Sequence, residues 1–318
     1  MSDRLPTVTV IIAARPEQAQ IKAVTASRAL DYPGENLEIL VARGKQPSVQ
    51  RNTALKAAKG ELVYFLDDDS EPLPGNLRRG IEHFKDGRVK LLGGPNVCPT
   101  AAPPLEKTFA LVLASWLAFG PSRARYTPVG AARETGEKEL ILCNLMARKQ
   151  TVLELGGFDE ALYPNEENAL MDELQRRGGK LIYDPQFLVQ RHPRPTLKAF
   201  ARMLRTYGRG RAEQFRLHPT FGSALNFVPP LFCVFLVTLP FLGRLGLVVL
   251  AVYLASVLAQ AGVLLVTTRQ PLGALGAAPL MVLSHIMYGL GFWRGLFTRL
   301  KGHHERPPTQ VVLERLTK

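Results

Sequence analysis

Three consecutive aspartates, Asp67-Asp68-Asp69, follow directly on the apolar run 61–66 (ELVYFL). Adjacent carboxylates repel one another unless a cation stands among them, and hard oxygen ligands of this kind suit Mg2+ or Mn2+. Such an ion would neutralise charge growing on a diphosphate leaving group. Standing alone, an acidic triplet reads equally as a solvated turn with helix-capping side chains. A second acidic group, Glu166-Glu167, opens a helical pattern, where the helix dipole favours negative charge. Either carboxylate could act as a general base toward a hydroxyl, or both could be ordinary first-turn residues. A third group is basic: Arg194, Lys198, Arg202, Arg205 and Arg209 recur at helical spacing and line one face. Next to it, Gly208-Arg209-Gly210-Arg211 sets two arginines between glycines, a flexible place to clamp a diphosphate bidentately.

The elements that must hold these groups alternate strand and helix. The β-branched run 7–13 (TVTVIIA) predicts a strand buried on both faces. A helix is expected over 17–30, a strand over 37–42, and a helix from a capping Ser48 to Ala58. Strand 61–66 comes next, then a helix opened by Pro74 and a strand over 89–92. This βαβ order implies an α/β fold with a mostly parallel sheet, whose ligands bind at the carboxyl ends of the strands. The aspartates stand at one such end, which favours the ligand reading over the solvated turn. Between 95 and 139 only a loop and short-helix region is expected, because prolines interrupt it. Beyond it, 140–147 reads as a strand, Gly156-Gly157-Phe158-Asp159-Glu160 as a glycine turn, 166–177 as a helix and 181–183 as a short strand.

The chain has 318 residues and a net charge of +13. The charge is unevenly placed. Between Arg216 and Lys301 the only charged residues are Arg244, Arg269, Arg294 and Arg299, and the stretches 245–268 and 270–293 carry none. At 1.5 Å per residue each covers about 36 Å, more than the ~30 Å of a hydrocarbon core. We therefore divide the chain into an enzyme domain (1–190), a basic amphipathic interfacial helix (191–220), a transmembrane region (221–298, with segments near 224–243, 245–268 and 270–293) and a basic tail (299–318). Basic residues beside such segments meet anionic headgroups, so membrane lipids, not nucleic acid, are the expected partners. The N-terminus lacks a basic stretch followed by a long apolar one, which reads as no signal peptide and a cytoplasmic enzyme domain. Three full spans would put the tail outside, whereas its arginines and lysines favour the inside. The three cysteines, 98, 143 and 233, form no CxxC and support neither a disulfide framework nor a zinc site.

The ordered set FLDDDS, GGFDE, NEEN, basic helix and apolar hairpins resembles the family 2 glycosyltransferases of GT-A fold. Within them it is most similar to the succinoglycan-type polysaccharide glycosyltransferases that end in membrane helices. The resemblance implies that Asp67 and Asp69 are the outer positions of the family's DxD, with Asp69 a metal ligand and Asp68 in the variable middle. It implies that Glu167 is the base, beside Glu166. It also implies that 205–211, with Arg205, Arg209 and Arg211, occupies the place of a diphosphate-holding arginine motif, and that Arg51 and Asn52 lie on the donor side. The implied activity is inverting, metal-dependent transfer of a sugar from a nucleotide-sugar to a lipid-linked, polyprenyl-diphosphate glycan in envelope or exopolysaccharide synthesis. A polyprenyl-phosphate sugar synthase and a membrane-bound nucleotidyltransferase are the alternatives. UDP-sugars are the family's usual donors. Here, though, the residues after the second strand, Val41-Ala42-Arg43-Gly44, lack the acid with which many relatives read the base.

Overall fold

The computed structural model describes residues 4–160, 166–217, 219, 221–299 and 310–318. The chain divides into two compact units, one of residues 1–99, 124–191 and 301–318, the other of 100–123 and 192–300.

The first unit is α/β. In chain order it contains β1 (Val8–Ala14), α1 (Lys22–Arg28), β2 (Leu37–Arg43), α2 (Pro47–Ala57), β3 (Leu62–Asp67) and β4 (Glu71–Pro72). Helix α3 (Asn76–Phe84), β5 (Val89–Gly93) and β6 (Asn96–Val97) complete its first stretch. The expected long first helix shrinks to α1, because Pro16 and the residues after it form a loop. Helix α2 opens with Pro47 at its first turn, where a missing N–H costs nothing, so Ser48 is a buried helical residue and not the cap.

Residues 100–123 belong to the other unit and carry α4 (Pro104–Leu113) and α5 (Trp116–Phe119). The α/β unit resumes with β7 (Arg133–Thr135), β8 (Asn144–Arg148), α6 (Lys149–Glu154), α7 (Glu166–Arg176), β9 (Lys180–Tyr183) and β10 (Val189–Gln190). Eight strands form one sheet in the order β11-β2-β1-β3-β8-β5-β9-β7, where β11 is Val312–Leu316. Strands β2, β1, β3, β5 and β9 run one way and β8 runs against its neighbours β3 and β5. The sheet is thus mixed, its larger part parallel. Its two faces are covered by separate apolar clusters. One includes Val10, Ile12, Tyr64 and Leu66, the other Ile11, Phe65, Leu145 and Met171. Burial on both faces explains why β1 and β3 read as unbroken apolar runs.

The loop and short-helix region expected over 95–139 holds the short helices α4 and α5. One expectation is corrected here. The tail is not merely a basic extension: β11 pairs antiparallel with β2, Glu314 accepts a hydrogen bond from Arg43 Nε at 2.5 Å, and Lys318 Nζ donates to Tyr32 O at 2.7 Å. The part of the tail over 300–309 lies outside the described residues.

The second unit is helical. Besides α4 and α5 it contains α8 (Leu197–Leu217), α9 (Val228–Thr238), α10 (Gly243–Thr268) and α11 (Pro271–Phe297). Among the described residues three helices are long and apolar enough to cross a membrane: Ala224–Phe241, Gly243–Thr268 and Pro271–Phe297. The basic face predicted for α8 is present, since Lys198, Arg202 and Arg205 are exposed while Phe200 and Leu204 are buried. The expected flexible segment 205–211 is instead continuous helix. Its glycine serves contact: a Cβ on Gly208 would stand 2.0 Å from Tyr288 O, and one on Gly291 2.0 Å from Arg205 O. Small residues at such spacing let α8 and α11 touch backbone to backbone. Arg216 Nη1 donates to Gly295 O at 3.0 Å, so it caps the end of α11.

Candidate active site

Strand β3 delivers Asp67 at its carboxyl end, and the chain turns at once, with Ser70 N–H donating to Asp67 O at 3.1 Å. Asp68 O accepts from Ala23 N at 3.2 Å, tying the turn to the start of α1. The three aspartates are half-buried. Burial, reinforced by the neighbouring charges of Asp69 and Asp67, pushes the Asp68 carboxyl above its usual range against a hydrogen bond from Gln18.

Two arginines frame this cluster. From α2, the buried Arg51 donates through Nη2 to Asp67 Oδ1 at 2.7 Å and through Nη1 to Glu166 Oε1 at 3.1 Å. Arg191, just beyond β10, donates through Nε to Asp69 Oδ1 at 2.7 Å and places Nη2 3.1 Å from Asp67 Oδ2. One guanidinium therefore joins the metal-type acids to the acidic pair of α7, and another straddles Asp67 and Asp69. Glu166 is buried at 3% exposure, whereas Glu167 is half-buried. Burial, and then the charge of Glu167, raise the Glu166 carboxyl well above its ordinary value against the pull of Arg51. The base of α7 is fixed by Arg125, whose Nη2 donates to Asn168 Oδ1 at 2.7 Å and whose Nε donates to Lys138 O at 2.9 Å.

Asn52 lies one residue from Arg51 but turns its amide elsewhere. It donates to Phe158 O and to Glu160 Oε1 at 2.8 Å each and accepts from Phe158 N–H at 2.8 Å. It thereby grips the Gly156-Gly157 bend, where Gly157 adopts φ +84° and a Cβ would stand 2.4 Å from Asn52 Oδ1. Only glycine suits that position. The structure brings together Asp67, Asp69, Arg51 and Glu166, with Asp68 between the aspartates and Glu167 beside Glu166, while Asn52 serves the glycine bend. Arg205, Arg209 and Arg211 belong to the helical unit: Arg205 is exposed, Arg209 Nε lies 3.3 Å from Glu213 Oε1, and the buried Arg211 donates to Gln214 Oε1 at 3.1 Å.

Arg191 and Arg125 were missed. Arg191 sits in the basic stretch assigned to the interfacial helix, yet α8 begins only at Leu197 and Arg191 serves the α/β unit. Its one local signal is its place right after a short strand and before His192-Pro193. Arg125 falls in the proline-broken region, where spacing carries no information.

The donor set of Asp67 and Asp69 fits a hard divalent ion. Each offers carboxylate oxygens, and a guanidinium already stands between them as a stand-in cation. Among the described residues no three of His, Cys, Asp and Glu converge as a complete cage.

The sequence likeness agrees with this geometry. Residues 25–100 match the glycosyl transferase family 2 model. The chain is 28% identical over 192 residues to the pre-mycofactocin glycosyltransferase of Mycobacterium tuberculosis, covering 59% of this chain and 40% of that protein. It is also 28% identical over 195 residues to the succinoglycan biosynthesis protein ExoA of Rhizobium meliloti, covering 60% of this chain and 56% of ExoA. The chain thus spans roughly half the length of these relatives. In fold it resembles the mannosyltransferase PcManGT of Pyrobaculum calidifontis, solved with GDP-Man and Mn2+, with a TM-score of 0.57 at 16% identity over 93% of this chain and 88% of that one. By motif order, fold and sequence likeness together, the chain is similar to the family 2 glycosyl transferases, the family match itself being confined to residues 25–100.

Proposed function

We propose that the chain transfers a sugar from a nucleotide-sugar to a hydroxyl of a lipid-linked glycan, with inversion at the anomeric carbon. The observation that carries this reading is the continuous link from Asp69 through Arg191, Asp67 and Arg51 to Glu166, which puts diphosphate-type chemistry and a carboxylate pair in one site. Asp67 and Asp69 would hold a divalent ion that offsets charge on the departing diphosphate. Glu167, the more accessible of the pair, takes the acceptor hydroxyl's proton as that oxygen attacks. Glu166 stays buried against Arg51 and positions the start of α7. Donor identity rests on analogy: the similar mannosyltransferase carries GDP-Man, and no acid follows β2 to read a base.

Replacing Glu167 with Gln tests the assignment. Turnover should fall by about 10²–10⁴-fold, while donor binding measured by calorimetry with Mn2+ is retained. Undiminished turnover would remove Glu167 from the base role and favour a lipid-phosphate acceptor, which is already ionised.

The apolar helices support a membrane location for the acceptor. The pairing of β11 with β2 returns the C-terminus to the α/β unit after α11, which supports an even number of crossings. The α10–α11 pair supplies two. Within Ala224–Phe241, long and apolar enough to cross, only the 11-residue α9, which begins with Val228-Pro229-Pro230, is regular α-helix and covers about 16 Å, so we assign this segment no full crossing. Single cysteines placed at residue 318 and in the α/β unit should react with an impermeant maleimide from the same side of sealed vesicles. Labelling from opposite sides would require an odd number of crossings.

A further inference from the structure

Residues 100–123, the first part of the connection between β6 and β7, have no part in the chemistry described above. Residues 108–122 contain no charged side chain, a run too short for the ~20 residues of a full crossing but apolar enough to leave water. This segment belongs to the same compact unit as α10 and α11. On α4, Phe109 stacks on Phe200 with ring centroids 4.2 Å apart.

The decisive contacts are polar. Leu117 N–H donates to Gln260 Oε1 at 3.3 Å, and Leu117 O lies 3.0 Å from His285 Nε2. The other ring nitrogen of His285 lies 2.8 Å from Tyr253 Oη. A neutral imidazole with Nε2–H donating to Leu117 O and Nδ1 accepting from the tyrosine hydroxyl satisfies both nitrogens. Gln260 stands roughly 12 Å from the nearer end of α10, and His285 about 18 Å from the nearer end of α11. Polar side chains deep within apolar helices are costly unless they meet partners, and a peptide group inside a bilayer needs partners too. Here each satisfies the other.

We propose that residues 104–119 form a re-entrant element inserted into the bilayer beside α10 and α11, with lipid acyl chains as its partner. Trp116 is its lipid-facing marker: it is 58% exposed, and Arg123 Cζ lies 5.5 Å over its ring, an aromatic–cation pairing suited to the headgroup boundary. Gln260 and His285 are the moorings that keep the element at depth.

This inference rests on α10 and α11 lying in the membrane, and the two tryptophans of the chain, Trp116 and Trp293, separate the two claims. The full chain carrying Trp293→Phe leaves Trp116 alone, and Trp116→Phe leaves Trp293 on α11. Each is reconstituted into phosphatidylcholine vesicles with or without bromine on the acyl chains. Both emissions should be strongly quenched by brominated lipid, and Trp116 should be shielded from aqueous iodide. Quenching of Trp293 with an iodide-accessible, unquenched Trp116 overturns the re-entrant element but keeps the spans. Absence of quenching at both positions overturns the spans and the proposal with them. Because Trp293 Nε1 donates to Pro230 O at 3.0 Å, its replacement could disturb folding. Carbene photolabelling of the unmutated chain from within the bilayer supplies the second measurement. Adducts mapping to 104–119 support insertion, and adducts on α10 but none on 104–119 overturn it.

Discussion

Two regions of this chain handle buried polarity in opposite ways. Around the acids of the α/β unit it takes the form of full charges in pairs: Arg51 with Asp67 and Glu166, Arg191 with Asp67 and Asp69, Arg79 with Asp184. Along α10 and α11 it is neutral, a glutamine, a tyrosine and a histidine joined to one another or to a peptide group. The α8–α11 contact relies on backbone meeting backbone at Gly208 and Gly291, with Arg216 capping the end of α11. The difference accords with the proposed function. Charged pairs would hold carboxylates ready for a cation and a charged substrate, while helices placed in lipid would gain nothing from the hydrophobic effect between themselves and would associate through close packing and neutral hydrogen bonds.

Breaking the largest charge pair tests the first half of that contrast. Arg51→Met leaves Glu166 buried without its guanidinium and should lower stability by about 3–5 kcal/mol, read by chemical denaturation of the detergent-solubilised chain. Adding Glu166→Gln to the same chain should recover most of the loss, since the uncompensated charge is gone. A single substitution without effect would show that Glu166 is neutral in the folded protein, which its raised pKa favours at lower pH.

The second half is sharpened by filling a backbone contact. Gly208→Ala or Gly291→Ala forces a methyl group against a carbonyl and should cost about 1–3 kcal/mol, detected as a lower melting temperature with donor binding unchanged. A neutral outcome at both positions would mean that α8 and α11 are not in backbone contact.

The smallest effect concerns pH. Burial alone would raise the Asp184 carboxyl, but hydrogen bonds from His83 and Arg79 outweigh it and hold the group well below the usual carboxylate range. Its contribution is therefore complete above the unfolded-state value of about 4 and is lost as pH falls toward the depressed folded value. Stability should decline on acidification below about pH 4, and Asp184→Asn should flatten that decline. An unchanged acid limb would locate the responsible carboxylate elsewhere.

Much of the candidate site was legible because local pattern and chemistry coincide there. Strand β3 is buried on both faces and must read as an unbroken apolar run, so the acids at its end stand out; Glu166 and Glu167 likewise sit where α7 begins. Arg51 was picked out with Asn52 by its surroundings, yet no spacing could show that the two neighbours part company, one toward the carboxylates and the other toward the Gly156-Gly157 bend. That divergence arises because consecutive helical residues point about 100° apart and meet whatever the fold places there.

What the sequence alone determined is what depends on near neighbours: the alternation of strands and helices, the acidic cluster, the basic face of α8, and the apolar lengths of α10 and α11. Only the tertiary structure decided what depends on residues far apart in the chain. It brought Arg191 to Asp67 and Asp69, turned the supposed flexible arginine segment into a helix pressed on α11, and returned residues 312–316 to the edge of the sheet beside β2. It also carried Leu117 to Gln260 and His285. Each of these is a contact between groups whose individual sequence signals are weak: a single arginine, a glycine within a helix, a short strand, an uncharged stretch too short to span. Their partners are chosen by packing and by the need of buried polar groups to be satisfied, neither of which acts along the chain.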